Sequence, residues 1–383
     1  MLTSLRFIFL TLVIRLNQII RVVKAILLNQ ISYYPKSVKV FEKEYKKKTN
    51  SSYSLMFSNA TSAMEAALFA GNVDANSNVL STSFVIPSSY SPAYSLGANI
   101  IFLDIDENNL NLDIKLLQKF DSSVTALIVT HFFGNPCDME TIMNWASKNN
   151  VFVVEDCSHA HGAIYKDKPI GSWGHVGIFS LQGAKAIAAG EGAIAISNES
   201  EIMLKMAAYG HQESYKSFNI KTDKEISLPS FGYGKKMRAH PLGAILAHEE
   251  LKTIDKKNAI FSEWHNEIYL LSLSSKLYKV PDILNNAVIG GFCQGIPLII
   301  KNTLLAEELK NTLLKEKINC FMRNYTQPLI DFSRSHNSEI DIKNKLPNSY
   351  LNFSKVIFIP FYQFLSPLRW LKLKSILKNQ LDA

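Results

Sequence analysis

Short apolar segments alternate with longer amphipathic segments along most of the chain after about residue 52. The apolar runs have the length of buried strands, and the segments between them have the length of helices. This alternation predicts βαβ units, and therefore an α/β fold with a mainly parallel sheet between two layers of helices. The expected strands are Val79–Leu80, Ile100–Leu103, Ala126–Val129, Val151–Val154, Val176–Phe179 and Ala193–Ile196, and the expected helices are 61–71, 113–120, 138–149 and 200–208.

The pattern changes after about residue 245. A long helix is expected from Leu242 to about Leu271, followed by strands near Ile296–Ile300 and Val356–Ile359, with a polar surface loop at 331–348 between them. We therefore expect three parts, which are a basic apolar helix at 1–32, a large α/β domain at 33–245 and a smaller C-terminal α+β domain at 246–383.

Composition and charge exclude several classes of protein. Hydrophobic residues make up 47% of the 383 residues and charged residues 19%, which excludes disorder or a coiled coil for the whole chain. The net charge of +8 resides entirely in residues 1–50, and no RNA- or DNA-binding motif accompanies it, so we expect no nucleic-acid partner. Four widely spaced cysteines favour neither a disulfide scaffold nor a Cys-based zinc site, and they fit the cytoplasm.

Residues 1–32 are apolar and basic and contain no acidic residue. Their most apolar run, Phe7–Ile14, is interrupted by Arg15, so a spanning helix of about 20 apolar residues is not expected. A secretory signal is a poor match because no small-residue cleavage site follows. Two interpretations stay open. The segment is either a helix that packs on the body or on a second subunit, or a cationic helix lying on the inner face of a membrane.

Two motifs early in the predicted sheet suit a planar, phosphorylated ligand. In SNATSAMEAAL (58–68), a polar turn enters a helix whose free backbone N–H groups, together with the hydroxyl of Thr61, suit a phosphate. Capping of the helix by Asn59 or Thr61 is the simpler interpretation of this motif alone. In TSFVIPS (82–88), Phe84 follows a short strand and can stack on a ring, although a lone Phe more often belongs to the core.

A carboxylate follows the strand in VFVVEDCSHAHG (151–162). An unpaired carboxylate at the edge of a buried strand is costly, and a protonated pyridine nitrogen would be a suitable partner for Asp156. His159 and His161 follow, but the spacing of a metal site such as HExxH is lacking. We therefore expect no metal here.

A lysine follows the strand in GIFSLQGAKAIAAGEGA (177–193), where Lys185 lies between two alanines with no acid within five residues. A desolvated lysine can lose its proton and attack a carbonyl, although an exposed lysine at a helix start is the simpler interpretation of Lys185 alone. Together the four motifs offer a phosphate site, a ring stack, a carboxylate and an amine, which are the groups that a pyridoxal phosphate (PLP) enzyme supplies.

The chain resembles the fold-type I sugar aminotransferases of the DegT/StrS group, from about residue 36 to its C-terminus. The order and spacing of its motifs are specific to that family, and the version of the later motif with His-Pro resembles the branch that acts on cyclitols and related amino sugars. The motifs are VTHFFGNPCDMETI (129–142), VVEDCSHAHGA (153–163), IGSWGHVGIFSLQGAKAI (170–187), GEG (190–192), KMRAHPLGAILAHEEL (236–251), YTQPL (325–329) and IFIPFY (357–362).

The resemblance implies PLP as the cofactor and a homodimer with shared active sites. Lys185 matches the lysine that holds the cofactor covalently, Asp156 the residue on the pyridine nitrogen, and Phe84 the ring-stacking aromatic. Five other positions match further cofactor contacts. They are Ser180, Thr61 and the backbone of Ala60 at the phosphate, His159 where the family often has Gln near the phenolic oxygen, and Lys236 where many members have an Asn reaching the cofactor phosphate of the neighbouring subunit.

The implied reaction moves an amino group from an amino acid, with glutamate as the expected donor, to a ketosugar or keto-cyclitol. The ketosugar is often nucleotide-linked, and the product serves amino-sugar or polysaccharide biosynthesis. Relatives in which His replaces the lysine act as dehydratases, and Lys185 argues against that reaction. Glu191 and His211 are candidates for contacts to the sugar.

Departures from the family pattern leave two alternatives open. Ala60 replaces the usual Gly, Ala193 turns GEGG into GEGA, and His159 replaces Gln. One alternative is another fold-type I reaction, such as a condensation at Cα of a membrane-associated substrate. The other is a non-catalytic scaffold held at a membrane by residues 1–32.

Overall fold

The structure is a computed structural model that describes residues 2–31, 36–211, 228–229, 232–291, 295–322, 329, 342–352, 354–360 and 367–379. Residues 325–328 of YTQPL, residues 361–362 of IFIPFY and residues 331–341 of the expected loop lie outside the described residues. The rest of that loop is largely helical rather than irregular.

The larger part of the described chain is built on a seven-stranded sheet in the order β1-β9-β8-β5-β4-β2-β3. Neighbouring strands are parallel except around β9, which is antiparallel to both β1 and β8. All the predicted strands are present, and the predicted α/β class is confirmed. The strands in chain order are β1 Tyr53–Phe57, β2 Asn78–Thr82, β3 Asn99–Leu103, β4 Ala126–Thr130, β5 Phe152–Asp156, β6 Ile164–Tyr165, β7 Lys168–Pro169, β8 Val176–Ser180 and β9 Ala193–Ser197.

A second, three-stranded sheet in the order β10-β12-β13 lies in the C-terminal part, where both predicted strands are present. Its neighbours are antiparallel, as in most small α+β layers. One further strand, β11, pairs instead with β6 of the large part and so ties the two parts together. The strands are β10 Tyr278–Lys279, β11 Ala287–Val288, β12 Ile296–Ile300 and β13 Val356–Ile359.

Helices cover the sheets, and one predicted helix is interrupted. The helix expected from Leu242 to Leu271 breaks at Thr253, whose hydroxyl donates to the Glu250 carbonyl at 3.0 Å and so competes with the helical hydrogen bond. The segment expected at 113–120 is a 3₁₀ helix, Ile114–Lys119. The α-helices are α1 Leu2–Leu27, α2 Lys36–Lys48, α3 Ala60–Ala70, α4 Pro87–Ser95, α5 Met139–Asn149, α6 Ser200–Gly210, α7 Pro241–Leu251, α8 Ile254–Ser272, α9 Thr303–Lys315, and then Ile342–Lys345, Pro347–Asn352 and Pro367–Asn379.

Two hydrophobic cores divide the chain later than the expected boundary at 245/246. That boundary falls inside α7, whose buried Ala247 and Leu251 belong to the core of the large sheet. The same core extends to Ile254, whereas Ile260 and Trp264 of α8 belong to the core of the small sheet. A division within α8 therefore fits the packing better than one at residue 245. Helix α7 packs on the core of the large sheet, so it is not a linker between the two parts.

The N-terminal helix α1 packs on the body along one face. Ile14 and Ala25 are buried in this contact, and the Gln18 amide donates to the Leu246 carbonyl of α7 at 3.0 Å. Near the start of α1, Phe7 joins the core of the small sheet. Packing on the body, one of the two interpretations of residues 1–32, therefore holds for this face. Among the described residues, no helix combines the length and apolar character needed to cross a membrane.

Candidate active site

The carboxyl ends of β4, β5 and β8 and the N-terminus of α3 surround a cavity of about 310 Å³. Ligands of open α/β sheets bind at this edge. Six of the eight predicted site residues line the cavity, namely Ala60, Thr61, Asp156, His159, Ser180 and Lys185, and Glu191 lies there too. Wall residues for which the sequence predicts no role at this site include Ser89, Thr130, Phe132, Ser158 and Gln182.

The α3 end of the cavity offers backbone amides. The Asn59 side chain accepts a hydrogen bond of 2.8 Å from the amide of Ser62, so Asn59 caps the helix as the simpler interpretation held. The preceding amides, of Ala60 and Thr61, lie in the first turn, where a helix supplies no acceptor. An anion is favoured at this position because these amides and the helix dipole attract negative charge.

Asp156 ends β5 and also lines the cavity. Its Oδ2 accepts a hydrogen bond of 2.7 Å from the hydroxyl of Ser89 in α4, and its Oδ1 accepts one of 3.1 Å from the amide of Ser158. Both donors are neutral, so they orient the carboxylate without cancelling its charge. The carboxylate is therefore placed to attract a cationic group of a ligand.

Thr130 lies beside Asp156, since the two residues are register partners at the ends of β4 and β5. Its hydroxyl is buried and has no hydrogen-bond partner within the described part of the chain, yet Thr130 lines the cavity. A buried hydroxyl without a partner costs free energy that a polar ligand would recover. The donors and acceptors of this wall therefore fit a polar ring rather than an apolar one.

The loop between β8 and β9 carries Lys185 on the cavity wall. Two backbone hydrogen bonds close it, from Leu181 to Gly192 at 2.9 Å and from Gly183 to Gly190 at 2.8 Å. Gly190 has φ of +83°, a left-handed conformation that favours glycine. Lys185 is half-buried. The closed loop fixes the backbone of Lys185 between two strand ends and so limits where its amine can reach.

The predicted ring-stacking residue lies outside the cavity. Phe84 is 1% exposed and packs on Phe132, with ring centroids 5.1 Å apart, in an apolar cluster that also includes Phe358 of the small sheet. Phe132 lines the cavity instead, together with Val85. Phe84 therefore packs in the core between the two sheets, and its expected contact with the cofactor ring stays a prediction.

Two other candidate residues also lie away from the cavity wall. Lys236 is exposed on the segment before α7, and its expected contact with a second subunit stays a prediction. His211 is buried against Phe57, with ring centroids 5.3 Å apart, and burial lowers the pKa of His211 to about 3. Its position does not favour the expected contact to a sugar.

A buried chain of hydrogen bonds holds the backbone carbonyl of Ser180. His161 lies 2.8 Å from the Ser180 carbonyl through Nε2 and 2.9 Å from the Tyr45 hydroxyl through Nδ1. Because a carbonyl only accepts, Nε2 carries the proton and the Tyr45 hydroxyl donates to Nδ1. Burial lowers the pKa of His161 to about 4, and the hydrogen bond to the Ser180 carbonyl, which acts to raise the pKa, only partly offsets this effect. The imidazole is therefore neutral at pH 7.

Stability should fall as the pH drops from 7.5 to 5.5, partly through His161. Its pKa is near 6.5 when unfolded and about 4 when folded, so between these values the unfolded state binds a proton that the folded state does not. The contribution is therefore complete above pH 6.5 and is lost as the pH falls, by roughly 1.3 kcal/mol for this pair of pH values. Urea unfolding at both pH values should show a loss smaller by that amount in His161→Gln, and an equal loss in both proteins would contradict the lowered pKa.

One group of three potential metal ligands, His131, Glu155 and Cys157, occurs among the described residues. His131 Nδ1 accepts from the amide of Cys137 at 3.1 Å, so its Nε2 carries the proton and donates to Glu155 at 3.1 Å. Glu155 accepts three further hydrogen bonds at 2.6–2.8 Å, from the amides of Gly171, Trp173 and Gly174. These bonds engage the carboxylate in holding a turn against β5, which indicates a structural role.

The fold is that of the aminotransferases. An aminotransferase from Psychrobacter cryohalolentis superposes with a TM-score of 0.85 at 22% identity, covering 94% of this chain and 95% of that one. 3-Amino-5-hydroxybenzoic acid synthase gives 0.82 at 19% identity and 96% of each chain. A GDP-4-keto-6-deoxymannose-3-dehydratase mutant with bound GDP-perosamine gives 0.82 at 19%, covering 94% and 96%. Since a dehydratase is among them, the fold alone does not define the reaction.

The chain belongs to the DegT/DnrJ/EryC1/StrS aminotransferase family, whose model matches residues 14–369. GDP-perosamine synthase of Escherichia coli O157:H7 is 34% identical over 148 residues, which are 38% of this chain and 41% of that protein. The spore coat polysaccharide biosynthesis protein SpsC of Bacillus subtilis is 30% identical over 212 residues, 54% of each. The L-glutamine:scyllo-inosose aminotransferase of Streptomyces griseus is 25% identical over 222 residues, 57% and 47%. The chain spans about half the length of these curated relatives.

Proposed function

We propose that the protein is a PLP-dependent aminotransferase that moves an amino group from glutamate to a ketosugar, often nucleotide-linked, or to a keto-cyclitol, in amino-sugar or polysaccharide biosynthesis. The observation that carries this proposal is the meeting of Lys185, Asp156 and the N-terminus of α3 in one cavity. Relatives named for a GDP-sugar, for spore coat polysaccharide and for a keto-cyclitol support the substrate class.

The residues of the cavity fit PLP. The amides of Ala60 and Thr61 and the hydroxyl of Ser180 would hold its phosphate, Asp156 its pyridine nitrogen, and Lys185 would bind it covalently. When bound, PLP supplies an electron sink that stabilises negative charge on the substrate carbon next to the transferred amine. The unpartnered hydroxyl of Thr130 fits a polar ligand at the Asp156 end.

Each side chain then has a defined task. Asp156, oriented by Ser89 and Ser158, keeps a proton on the ring nitrogen through its negative charge. The Nζ atom of Lys185 takes the proton from Cα of the amino donor and later returns a proton to the acceptor carbon. Val85 and Phe132 provide apolar wall that limits water.

The departures from the family pattern are compatible with catalysis. Ala60 lies within helix α3, and Ala193 opens the regular, buried strand β9, so neither position needs the left-handed backbone that favours glycine. This weakens the alternative of a non-catalytic scaffold. Lys185 favours amino transfer over dehydration, because an amine can both anchor the cofactor and move protons.

We also propose an oligomeric state and a cellular location for the enzyme. The enzyme acts as a homodimer in the cytoplasm, where the exposed Lys236 reaches the cofactor phosphate of the second subunit. The described cysteines are free thiols, which fits a reducing compartment. Residues 1–32 contact the inner face of the membrane.

A direct test incubates the PLP-loaded enzyme with glutamate or glutamine and a panel of GDP- and UDP-linked 4-ketosugars and keto-cyclitols. Mass spectrometry should find the aminated product and an equal amount of the keto acid from the donor. Deoxygenated sugar without amine would mean dehydration, and a condensed product retaining the donor carbons would mean the alternative fold-type I reaction.

A further inference from the structure

The N-terminal helix α1 has a second face, opposite to the one on the body. Six of its apolar side chains there are between 55% and 79% exposed, namely Phe9, Leu12, Leu16, Ile19, Ile20 and Leu27. Scattered exposed leucines are ordinary, but a continuous row along a long helix marks an interaction surface. We call this surface the apolar arc of α1.

The apolar arc is bounded by basic residues on both sides. At 3.6 residues per turn, the exposed apolar positions between residues 5 and 27 cover about 140° of the helix circumference, with no polar residue inside. Arg15 lies about 20° beyond one edge, and Arg6 and Lys24 lie about 20° beyond the other. α1 contains no acidic residue. A basic-edged apolar arc is the pattern of a helix that lies in a membrane interface.

The arginines also fix α1 to the body. Arg15 lies 3.5 Å from Glu250, and Arg21 pairs with Glu249, both on α7. The side chain of Arg15 is nevertheless 55% exposed, so it can also reach an anionic group outside the protein. The arc therefore has a fixed orientation relative to the active-site domain.

The basic charge of α1 favours a lipid surface over a second copy of the chain as the partner that covers the apolar arc. Two α1 helices packed arc to arc would bring basic edges together, and α1 has no acidic residue of its own, although Glu250 and Glu263 of the body offset Arg15 and Arg6 in part. Anionic headgroups instead complement both edges while acyl chains cover the arc. The whole net charge of +8 lies in residues 1–50, the segment of the chain that contains this helix.

We infer that α1 docks the enzyme on an anionic lipid surface, lying in its plane with the apolar arc inserted and with Arg15 and Lys24 at the headgroups. The inference specifies the membrane contact proposed above but does not rest on the reaction. Vesicle binding and amino transfer are separate measurements, so either can fail alone.

The test is cosedimentation of the full chain, saturated with PLP, with vesicles of phosphatidylcholine alone or mixed with phosphatidylglycerol. The wild type should bind the mixed vesicles, and Leu12→Glu/Leu16→Glu should reduce the bound-to-free ratio at least about tenfold. Leu304→Glu is the matched control, because Leu304 is 78% exposed on α9 and lies outside the arc. It should bind like the wild type, and circular dichroism checks that all three proteins are folded.

Three results would overturn the inference. The wild type could stay in solution with both kinds of vesicle, or the double variant could bind as well as the wild type. Alternatively, sedimentation velocity without lipid could show that the double variant, but not Leu304→Glu, dissociates the oligomer. That last result would assign the arc to a contact between protein chains.

Discussion

The Lys185→Ala variant should lose amino transfer by a factor of about 10³ or more while keeping its fold. Lys185 lies in a loop closed by backbone bonds that do not involve its side chain, so removal of the amine leaves the loop intact. What is lost is both the covalent attachment of PLP and the group that moves the proton at Cα. Steady-state rates with the best donor and acceptor from the substrate panel measure the loss.

Two further variants show that the loss belongs to this amine. Lys185→Arg keeps the positive charge but cannot attach to the cofactor at neutral pH, so it should be as inactive as the alanine variant. Lys148→Ala removes an exposed lysine from α5 and should match the wild type. Activity of Lys185→Arg close to the wild type would show that Lys185 supplies only charge, contrary to the proposed mechanism.

The Asp156→Asn variant should lower the turnover number about 10²- to 10³-fold with little loss of stability. Asparagine has nearly the same shape, and its carbonyl oxygen can keep one of the two bonds from Ser89 and Ser158. The negative charge facing the ring nitrogen is gone, however, and with it the preference for the protonated ring. The turnover number and the thermal midpoint of the variant measure the two quantities separately.

Ser89, which donates a hydrogen bond to Asp156, provides a control that separates the effect of the carboxylate's charge from the effect of its orientation. Ser89→Ala removes one hydrogen bond of 2.7 Å from a neutral donor and leaves the carboxylate charged, so it should cost about tenfold or less. A larger loss in Ser89→Ala than in Asp156→Asn would mean that the orientation of Asp156, and not its charge, limits the reaction.

The order of strands and helices could be predicted from the sequence because buried parallel strands read as short apolar runs. The break between α7 and α8 could not. It depends on the Thr253 hydroxyl bonding to the Glu250 carbonyl, and hydrophobic periodicity does not register such a bond. Periodicity also does not predict which core α7 joins, since α7 is apolar enough to suit either, and the division of the chain into domains stays a prediction.

The meeting of several predicted residues in one cavity follows from one rule, that parallel strands present their carboxyl ends at the same edge. The rule brings Asp156 and Ser180 together because both end strands of this sheet. It does not identify Ser89, which comes from the unpredicted helix α4. The sequence also does not predict that Phe132 lines the cavity while Phe84 packs in the apolar cluster, because that cluster includes Phe358, which is remote in the sequence.

The central claim is amino transfer, and its most direct test is the first half-reaction. The purified, PLP-loaded enzyme is mixed with glutamate or glutamine in the absence of any acceptor, and both the visible absorbance of the cofactor and the released keto acid are followed. We expect the absorbance band to bleach and one molecule of keto acid to appear per Lys185-bound cofactor. If PLP is bound covalently at Lys185 but neither donor bleaches it or yields a keto acid, the protein is not the proposed aminotransferase.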